Sequence, residues 1–375
     1  MTTSHILING FSARRGGGQT YLHHLLSHYE HADNQKVSLL IHESSDIDIS
    51  NENINLIRIR FNVNNPFLRY FWERFYLPKL IRELSVDLLF CPGGLISTNK
   101  PRRTKRVTMF RNMIPLDKIQ KSQYPYGYMR FRNWLLGYSL VNSMEKADMV
   151  IFISELGKKV AEVASKKGIS NSVIIPHGVN KLNNGKKYQK QKNNESYIAY
   201  VSTVDVYKAQ LEVVVAYKMC NDQGYDLPKL LLVGPWETMS YVDKVKRKID
   251  ELDLRSKVIL TGAVPYDEVF ELYKNADFLI YASKSENCPN ILLESMACGK
   301  AVICSNYDPM PEFAGEAVLY FDPMSPKDLS NKIIMLVENL DLKDGLEKKS
   351  IAQSNMFSWE KCSKKTWKEL FDLIN

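Results

Sequence analysis

Two glutamates, Glu286 and Glu294, stand eight residues apart in the run 283–297, SKSENCPNILLESMA. The run follows directly on a short apolar stretch, 278–282, that reads as a strand. Glu286 then falls in a loop, and Glu294 falls one turn into a helix beginning near Asn290. The start of a helix offers N–H groups without intrahelical partners and the positive end of the helix dipole, which suits a diphosphate or a sugar hydroxyl. Two carboxylates beside such an end are able to accept hydrogen bonds from sugar and ribose hydroxyls. The plainer reading makes Glu286 a solvated loop charge and Glu294 a complement to the dipole; spacing alone does not separate the two.

Other residues invite the same weighing. Lys208 lies six residues past Ser202 in YVSTVDVYKAQ, just after an expected strand; taken alone, a loop lysine is ordinary solvated surface. Three glycines, 16–18, follow FSARR and precede a helix expected near Gln19. They would let the backbone approach a ligand closely, with an anion at the helix end, or form a plain flexible loop. A nicotinamide site would need G-x-G-x-x-G, which is absent, although Glu43 would fit as its acidic partner. His24, His28 and His31 could share a helix face but lack the H-E-x-x-H pattern, and His177 in a P-H-G turn reads as structural. Two stretches, 66–84 and 124–138, mix aromatic and basic residues. That mixture suits a membrane interface, but the reading favoured here is core-facing helices with solvated basic backs.

The elements that must position these residues follow one pattern: a short apolar, β-branched run, a turn, then a helix-length segment. Expected strands are 5–9, 36–42, 54–61, 87–91, 106–110, 149–154 and 172–175 in the first half. In the second they are 197–202, 229–233, 257–261, 278–282, 301–305 and 317–321. Near-continuous apolar strands alternating with helices predict parallel sheets covered on both faces. In such sheets ligands bind beyond the carboxyl ends of the strands, where Lys208 and Glu286 fall. Residues 181–195, KLNNGKKYQKQKNNE, have almost no apolar side chain and read as a linker. Residues 358–374 form an amphipathic helix with Trp359, Trp367, Leu370 and Phe371 available for burial. The expected division is 1–182, 183–355 and a closing helix in 356–375.

Composition narrows the class. The chain has 375 residues, 45% apolar and 25% charged, which suits two globular domains. No basic segment followed by an apolar run opens it, and no stretch reaches the ~18 uninterrupted apolar residues of a membrane span. Six scattered cysteines without a C-x-x-C read as reduced thiols in a cytosolic protein. The net charge of +8 could serve nucleic acid, anionic lipid or a phosphate-bearing substrate. Zinc-finger spacing, an RNP-like stretch and basic-zipper heptads are all missing, so nucleic acid is not expected as a partner.

With these residues in hand, a family resemblance emerges. E-x7-E after a strand, followed by Ser295–Met296–Ala297–Cys298–Gly299–Lys300–Ala301–Val302, resembles the donor-site motif of family 4 retaining glycosyltransferases of the GT-B fold, roughly E-G-F-G-L-x-x-x-E-A-M-A-x-G-x-P-V. The resemblance runs on through Pro309–Met310–Pro311–Glu312 and Gly315 to Asp322–Pro323, and includes VIIPHGV at 173–179. It implies two Rossmann-like α/β domains facing across a cleft, with the last helix crossing back to the first. It implies transfer of a sugar from a UDP- or GDP-linked donor to a glycan or lipid-linked glycan, with no metal and no other cofactor. The setting would be surface polysaccharide or O-antigen-type assembly in the cytoplasm, with peripheral contact at the inner membrane face left open.

Roles follow by position. Glu294 would bind the ribose, Glu286 would hold the donor sugar, and the N–H groups of Asn290 and Ile291 would face sugar or phosphate. Lys208 would clamp the diphosphate, where a fixed cation opposes charge developing on the leaving group. Gly17 and Gly18 would lie against donor or acceptor. The chain departs from the pattern at two places. Thr203 stands where the family's diphosphate clamp has arginine, and Arg111–Asn112 stand where many members have His-Asp. Arg111 stays protonated and cannot act as a general base, though it could hydrogen-bond a sugar or acceptor phosphate. These departures motivate one rival, a catalytically weak donor-binding subunit; an NAD-dependent oxidoreductase is a more distant one.

Overall fold

The computed structural model describes residues 3–12, 17–45, 51–60, 65–99, 103–123, 127–179 and 196–375. The expected linker at 181–195 lies outside them, as do Gly16 and residues 124–126 of the second aromatic stretch. The chain forms two compact units, Met1–Gly178 with Trp359–Asn375, and Val179–Ser358.

The first unit is a parallel sheet of β1 (Ser4–Asn9), β2 (Gln35–His42), β3 (Ile54–Ile59), β4 (Leu88–Cys91), β5 (Lys105–Phe110), β6 (Met149–Phe152) and β7 (Ser172–Ile174), in the order β3-β2-β1-β4-β5-β6-β7. Its helices are α1 (Gly17–Ser27), α2 (Pro66–Phe75), α3 (Leu77–Glu83), α4 (Lys118–Gln123), α5 (Tyr128–Lys146) and α6 (Glu155–Ala164). The second unit has β8 (Tyr197–Val201), β9 (Lys229–Val233), β10 (Val258–Gly262), β11 (Leu279–Tyr281), β12 (Val302–Ser305) and β13 (Leu319–Phe321), in the order β10-β9-β8-β11-β12-β13. Around it lie α7 (Gln210–Asp222), α8 (Met239–Glu251), α9 (Tyr266–Asn275), α10 (Asn290–Ala297), α11 (Met310–Ala314), α12 (Pro326–Glu338) and α13 (Leu340–Ser354). The closing helix, α14 (Trp359–Asp372), belongs to the first unit.

Every expected strand forms, with ends shifted by one or two residues at most. The strands read clearly because helices cover both faces of each sheet, so consecutive residues such as Ile6, Leu7 and Ile8, or Ile198, Ala199 and Tyr200, are all buried. Each sheet has a point where the chain reverses its direction of winding. In the second unit it lies between β8, from which the chain runs outward to β9 and β10, and β11, from which it runs the other way. Such a switch point leaves a crevice at the carboxyl ends of the two strands.

Helix α14 buries Trp359, Trp367, Leu370 and Phe371, the four residues expected to be available for it. Trp367 Nε1 donates to the Leu25 carbonyl of α1 at 2.8 Å, and Ser363 Oγ donates to the same oxygen at 3.1 Å. His24 stacks on Trp359 at 4.6 Å, and His177 packs between Tyr21 and Trp359. These two histidines of the first unit serve packing.

The two aromatic stretches depart from the core-facing reading. Leu77 and Ile81 of α3 and Leu140 and Met144 of α5 pack into the core, while Phe67, Tyr70, Phe71, Phe75, Phe131 and Trp134 lie exposed. The reason is geometric. Phe67, Tyr70, Phe71 and Phe75 recur at three- and four-residue spacing on one face of α2, and it is the neighbouring side, with Trp72 against Phe11, that turns to the sheet. Among the described residues no helix is long and apolar enough to cross a membrane.

Candidate functional site

Lys208 leaves β8 through a short 3-10 turn, Val206–Lys208, capped by Asp205, whose Oδ1 accepts from Val206 N at 2.8 Å and Thr238 Oγ1 at 2.9 Å. Next, Ala209 takes a left-handed conformation, φ 55°, and α7 begins. That reversal, together with the Tyr200 hydroxyl donating to the Lys208 carbonyl at 2.6 Å, fixes the lysine against the sheet end. Gly234, after β9, permits the close packing: a Cβ there would lie 2.1 Å from the Ser202 carbonyl oxygen, and its φ is +144°.

Glu286 reaches the same place from the loop after β11. Its Oε1 accepts from Lys208 Nζ, from Ser283 Oγ at 2.7 Å and from the Tyr281 hydroxyl at 2.9 Å. The Lys208 side chain is 5% exposed and that of Glu286 16%, so the pair is held largely out of water. The lysine ammonium also sits 4.9 Å from the Tyr207 ring and 5.6 Å from the Tyr281 ring, whose faces favour a cation. Burial and then the Glu286 charge push the Tyr207 and Tyr281 hydroxyls well above the ordinary tyrosine range, so both stay protonated and Tyr281 remains a donor to Glu286. The two loops are tied further by Lys284 N donating to the Tyr207 carbonyl at 2.7 Å, and the Lys284–Glu212 ion pair at 2.7 Å holds the second loop to the first turn of α7.

Glu294 stands one turn into α10, as its position relative to Asn290 predicts. Asn290 and Ile291 are the first two residues of that helix; the Asn290 N–H donates to the Cys288 carbonyl at 2.9 Å, and the Ile291 N–H stands at the helix start without an intrahelical acceptor. Glu294 Oε1 accepts from the Tyr266 hydroxyl at 2.8 Å. Burial pushes the Glu294 carboxyl up to about 7, against the Tyr266 hydrogen bond, which pulls it down. Thr203 is placed by its carbonyl, which accepts from Gln210 Nε2 at 2.9 Å.

Tyr207, Tyr281, Ser283 and Tyr266 contribute to this constellation without having been singled out in the sequence. Tyr207 is the chain neighbour of Lys208, and Ser283 is three residues before Glu286, so adjacency in the same loops is the signal that points to both. Tyr281 reads as a core strand residue and Tyr266 as a helix start, and no local spacing links them to either glutamate.

The remaining candidates belong to the first compact unit. Gly17 opens α1 beyond β1, and Arg111 follows β5. The structure brings these two together: a Cβ added at Gly17 would lie 3.3 Å from the Arg111 guanidinium, which also sits over the Tyr21 ring at 5.6 Å. Gly18 is half-buried in the first turn of α1, and Asn112 is exposed.

Two parallel α/β sheets with this strand order define a GT-B fold, and comparison with known proteins agrees. The crystal structure of Anabaena HepE in complex with UDP-glucose matches with a TM-score of 0.72 at 17% identity, over 98% of this chain and 99% of that one. A family profile described as glycosyl transferases group 1 matches residues 180–353, and one described as glycosyltransferase family 4 matches 15–181. The chain belongs to this glycosyltransferase family. An uncharacterized glycosyltransferase of Methanocaldococcus jannaschii is 23% identical over 96% of both chains. The O-antigen chain mannosyltransferase B of Escherichia coli is 29% identical over 46% of this chain and 45% of its own.

Proposed function

We propose that the chain transfers a glycosyl group from a UDP- or GDP-linked sugar to an acceptor hydroxyl with retention at the anomeric carbon. The observation that carries this reading is the Lys208–Glu286 pair, held at the switch point between β8 and β11, with α10 starting four residues after Glu286. The diphosphate would lie against Lys208 and the N–H group of Ile291, and it would draw on the Asn290 N–H in exchange for that group's bond to the Cys288 carbonyl. Glu294 would accept from the ribose hydroxyls and Glu286 from the sugar.

The chemistry then needs few parts. As the bond from the anomeric carbon to the donor phosphate breaks, negative charge grows on the leaving phosphate, and Lys208 with the helix-end amides opposes it. The acceptor attacks from the same face and passes its proton to that phosphate oxygen. Glu286 stabilises the positive charge that develops on the sugar. Lys208 is the cation this reading relies on, so turnover should persist in EDTA.

The acceptor proposed is a glycan or a lipid-linked glycan in surface polysaccharide assembly, used at the inner face of the cell membrane. Support comes from the O-antigen mannosyltransferase relative and from a HepE neighbour bound to UDP-glucose. The test is a thermal-shift screen of UDP- and GDP-sugars, followed by hydrolysis and transfer assays with and without EDTA, and NMR of the product anomer. An inverted product would overturn the mechanism, and turnover lost in EDTA and restored by magnesium would overturn the lysine clamp. Tight donor binding with neither hydrolysis nor transfer would favour a donor-binding subunit, the reading that Thr203 and Arg111 motivate.

A further inference from the structure

Two helices of the first unit turn aromatic rings to solvent in ordered stripes. Phe67, Tyr70, Phe71 and Phe75 recur at three- and four-residue spacing along α2 and are 51–71% exposed. Tyr128, Phe131, Trp134 and Tyr138 form the matching stripe on α5 and are 58–76% exposed. Single exposed apolar residues are ordinary, but contiguous stripes at helical spacing mark a surface that something else covers.

Both stripes lie on one side of the unit. The crossovers β3 to β4, carrying α2 and α3, and β5 to β6, carrying α5, run the same way across the sheet. Right-handed connections therefore place them on the same face, and α3 and α5 share one core cluster through Leu77, Ile81, Leu140 and Met144.

The charge around the stripes is positive. Lys79 and Arg82 on α3 and Arg132 on α5 are exposed. Glu83 on α3 is also exposed, whereas Glu73 is buried and accepts from Asn9 and Arg69. Beside Trp134 and Tyr138 opens a groove of about 480 Å³, lined also by Lys118, Lys166 and Lys167. Its carboxylate, Glu145, is taken up by Ser165 Oγ and by the amides of Lys166 and Lys167.

We infer that this face docks the protein on an anionic phospholipid bilayer, the rings at the headgroup level and the lysines and arginines on lipid phosphates. Rings flanked by cations fit that surface. A second copy fits less well, because two-fold pairing would set the same cations against each other. The inference rests on the proposed function only for its purpose, that of holding the protein beside a lipid-linked acceptor.

The test is co-sedimentation of the full chain with vesicles of phosphatidylglycerol and phosphatidylcholine, and of phosphatidylcholine alone. Wild type should bind the anionic vesicles and bind phosphatidylcholine at least about tenfold more weakly, with the difference shrinking in salt. Phe71→Ser with Trp134→Ser should lose binding by about tenfold or more while keeping wild-type affinity for a nucleotide sugar in calorimetry. Lys79→Glu with Arg132→Glu, both at exposed positions, carries the test if the serine pair does not fold. Wild-type binding unaffected by either pair, or no binding to anionic vesicles, overturns the inference. So does a concentration-dependent dimer in sedimentation velocity that the serine pair abolishes. Vesicle binding without sugar transfer would leave the docking face standing and remove the proposed function.

Discussion

Lys208 and Glu286, 78 residues apart in sequence, form an ion pair that joins the loop after β8 to the loop after β11. The pair sits where the strand order of the second sheet reverses, with both side chains largely buried. Its partners are unequal: the lysine has aromatic faces and one carboxylate, while the carboxylate oxygen has three donors. A diphosphate placed beside Lys208 would therefore meet a cation already oriented by Glu286. Lys208→Ala should lower kcat by about 10²–10³-fold and also raise the donor KM, since the diphosphate is charged before reaction and more so during it. Steady-state kinetics on the identified donor would check this, and an unchanged kcat would remove Lys208 from the chemistry.

The two glutamates should fail differently. Glu294→Gln should raise the donor KM, because ribose hydroxyls are bound equally in ground and transition states; the cost expected is about 1–3 kcal/mol. Glu286→Gln keeps the size of the side chain and an oxygen for Tyr281 and Ser283, but loses the charge opposite the reacting sugar. It should chiefly lower kcat, with little change in donor affinity. Wild-type kinetics in both variants would make the pair structural.

Trp367 should be the most costly single truncation in α14. It is 6% exposed, packs on Tyr29 at 4.7 Å and donates to the Leu25 carbonyl. Trp367→Ala should destabilise the first unit by about 3–5 kcal/mol, measured by denaturant unfolding, and Trp367→Phe by less, since it keeps a ring and loses mainly the hydrogen bond. Equal stability of all three proteins would mean that α14 contributes little to holding the unit.

The strands were legible because both sheet faces are covered, so apolar runs and buried runs coincide. Glu286, Glu294 and Lys208 stood out through the family resemblance, since position after a strand or at a helix start left an ordinary surface charge equally open; what the structure adds is that Lys208 and Glu286 meet as a largely buried pair. Tyr266 was not, since its hydroxyl meets Glu294 across 28 residues and two different helices. Tyr281 was hidden in a strand whose burial accounts for it without reference to its hydroxyl. The outward rings of α2 differ from the core-facing expectation for a related reason: an apolar stripe says that a helix has a face to bury, but not that the sheet rather than something else covers it.

Donor affinity should depend on pH through Glu294. Burial raises its carboxyl from 4.5 to about 7, and the Tyr266 hydrogen bond opposes that rise. Ribose hydroxyls donate to the ionised form, so affinity should be low below neutrality, rise as pH passes through about 7, and level off above it. Stability runs the other way. A carboxyl whose folded value lies above its unfolded value favours the folded state when protonated, so this contribution is complete below 4.5 and is lost as pH rises through about 7. The neighbouring Cys298 thiol, pushed up to about 12 by burial, does not titrate in this window. Tyr266→Phe removes the contact that favours the carboxylate and should shift the affinity limb to higher pH without flattening it. Glu294→Gln should flatten it. The measurement is donor affinity against pH by calorimetry with an intact nucleotide sugar, whose diphosphate has no ionisation near neutrality. A wild-type profile already flat through neutrality would show that Glu294 does not carry the donor ribose, and a Tyr266→Phe profile identical to wild type would show that the tyrosine does not position it.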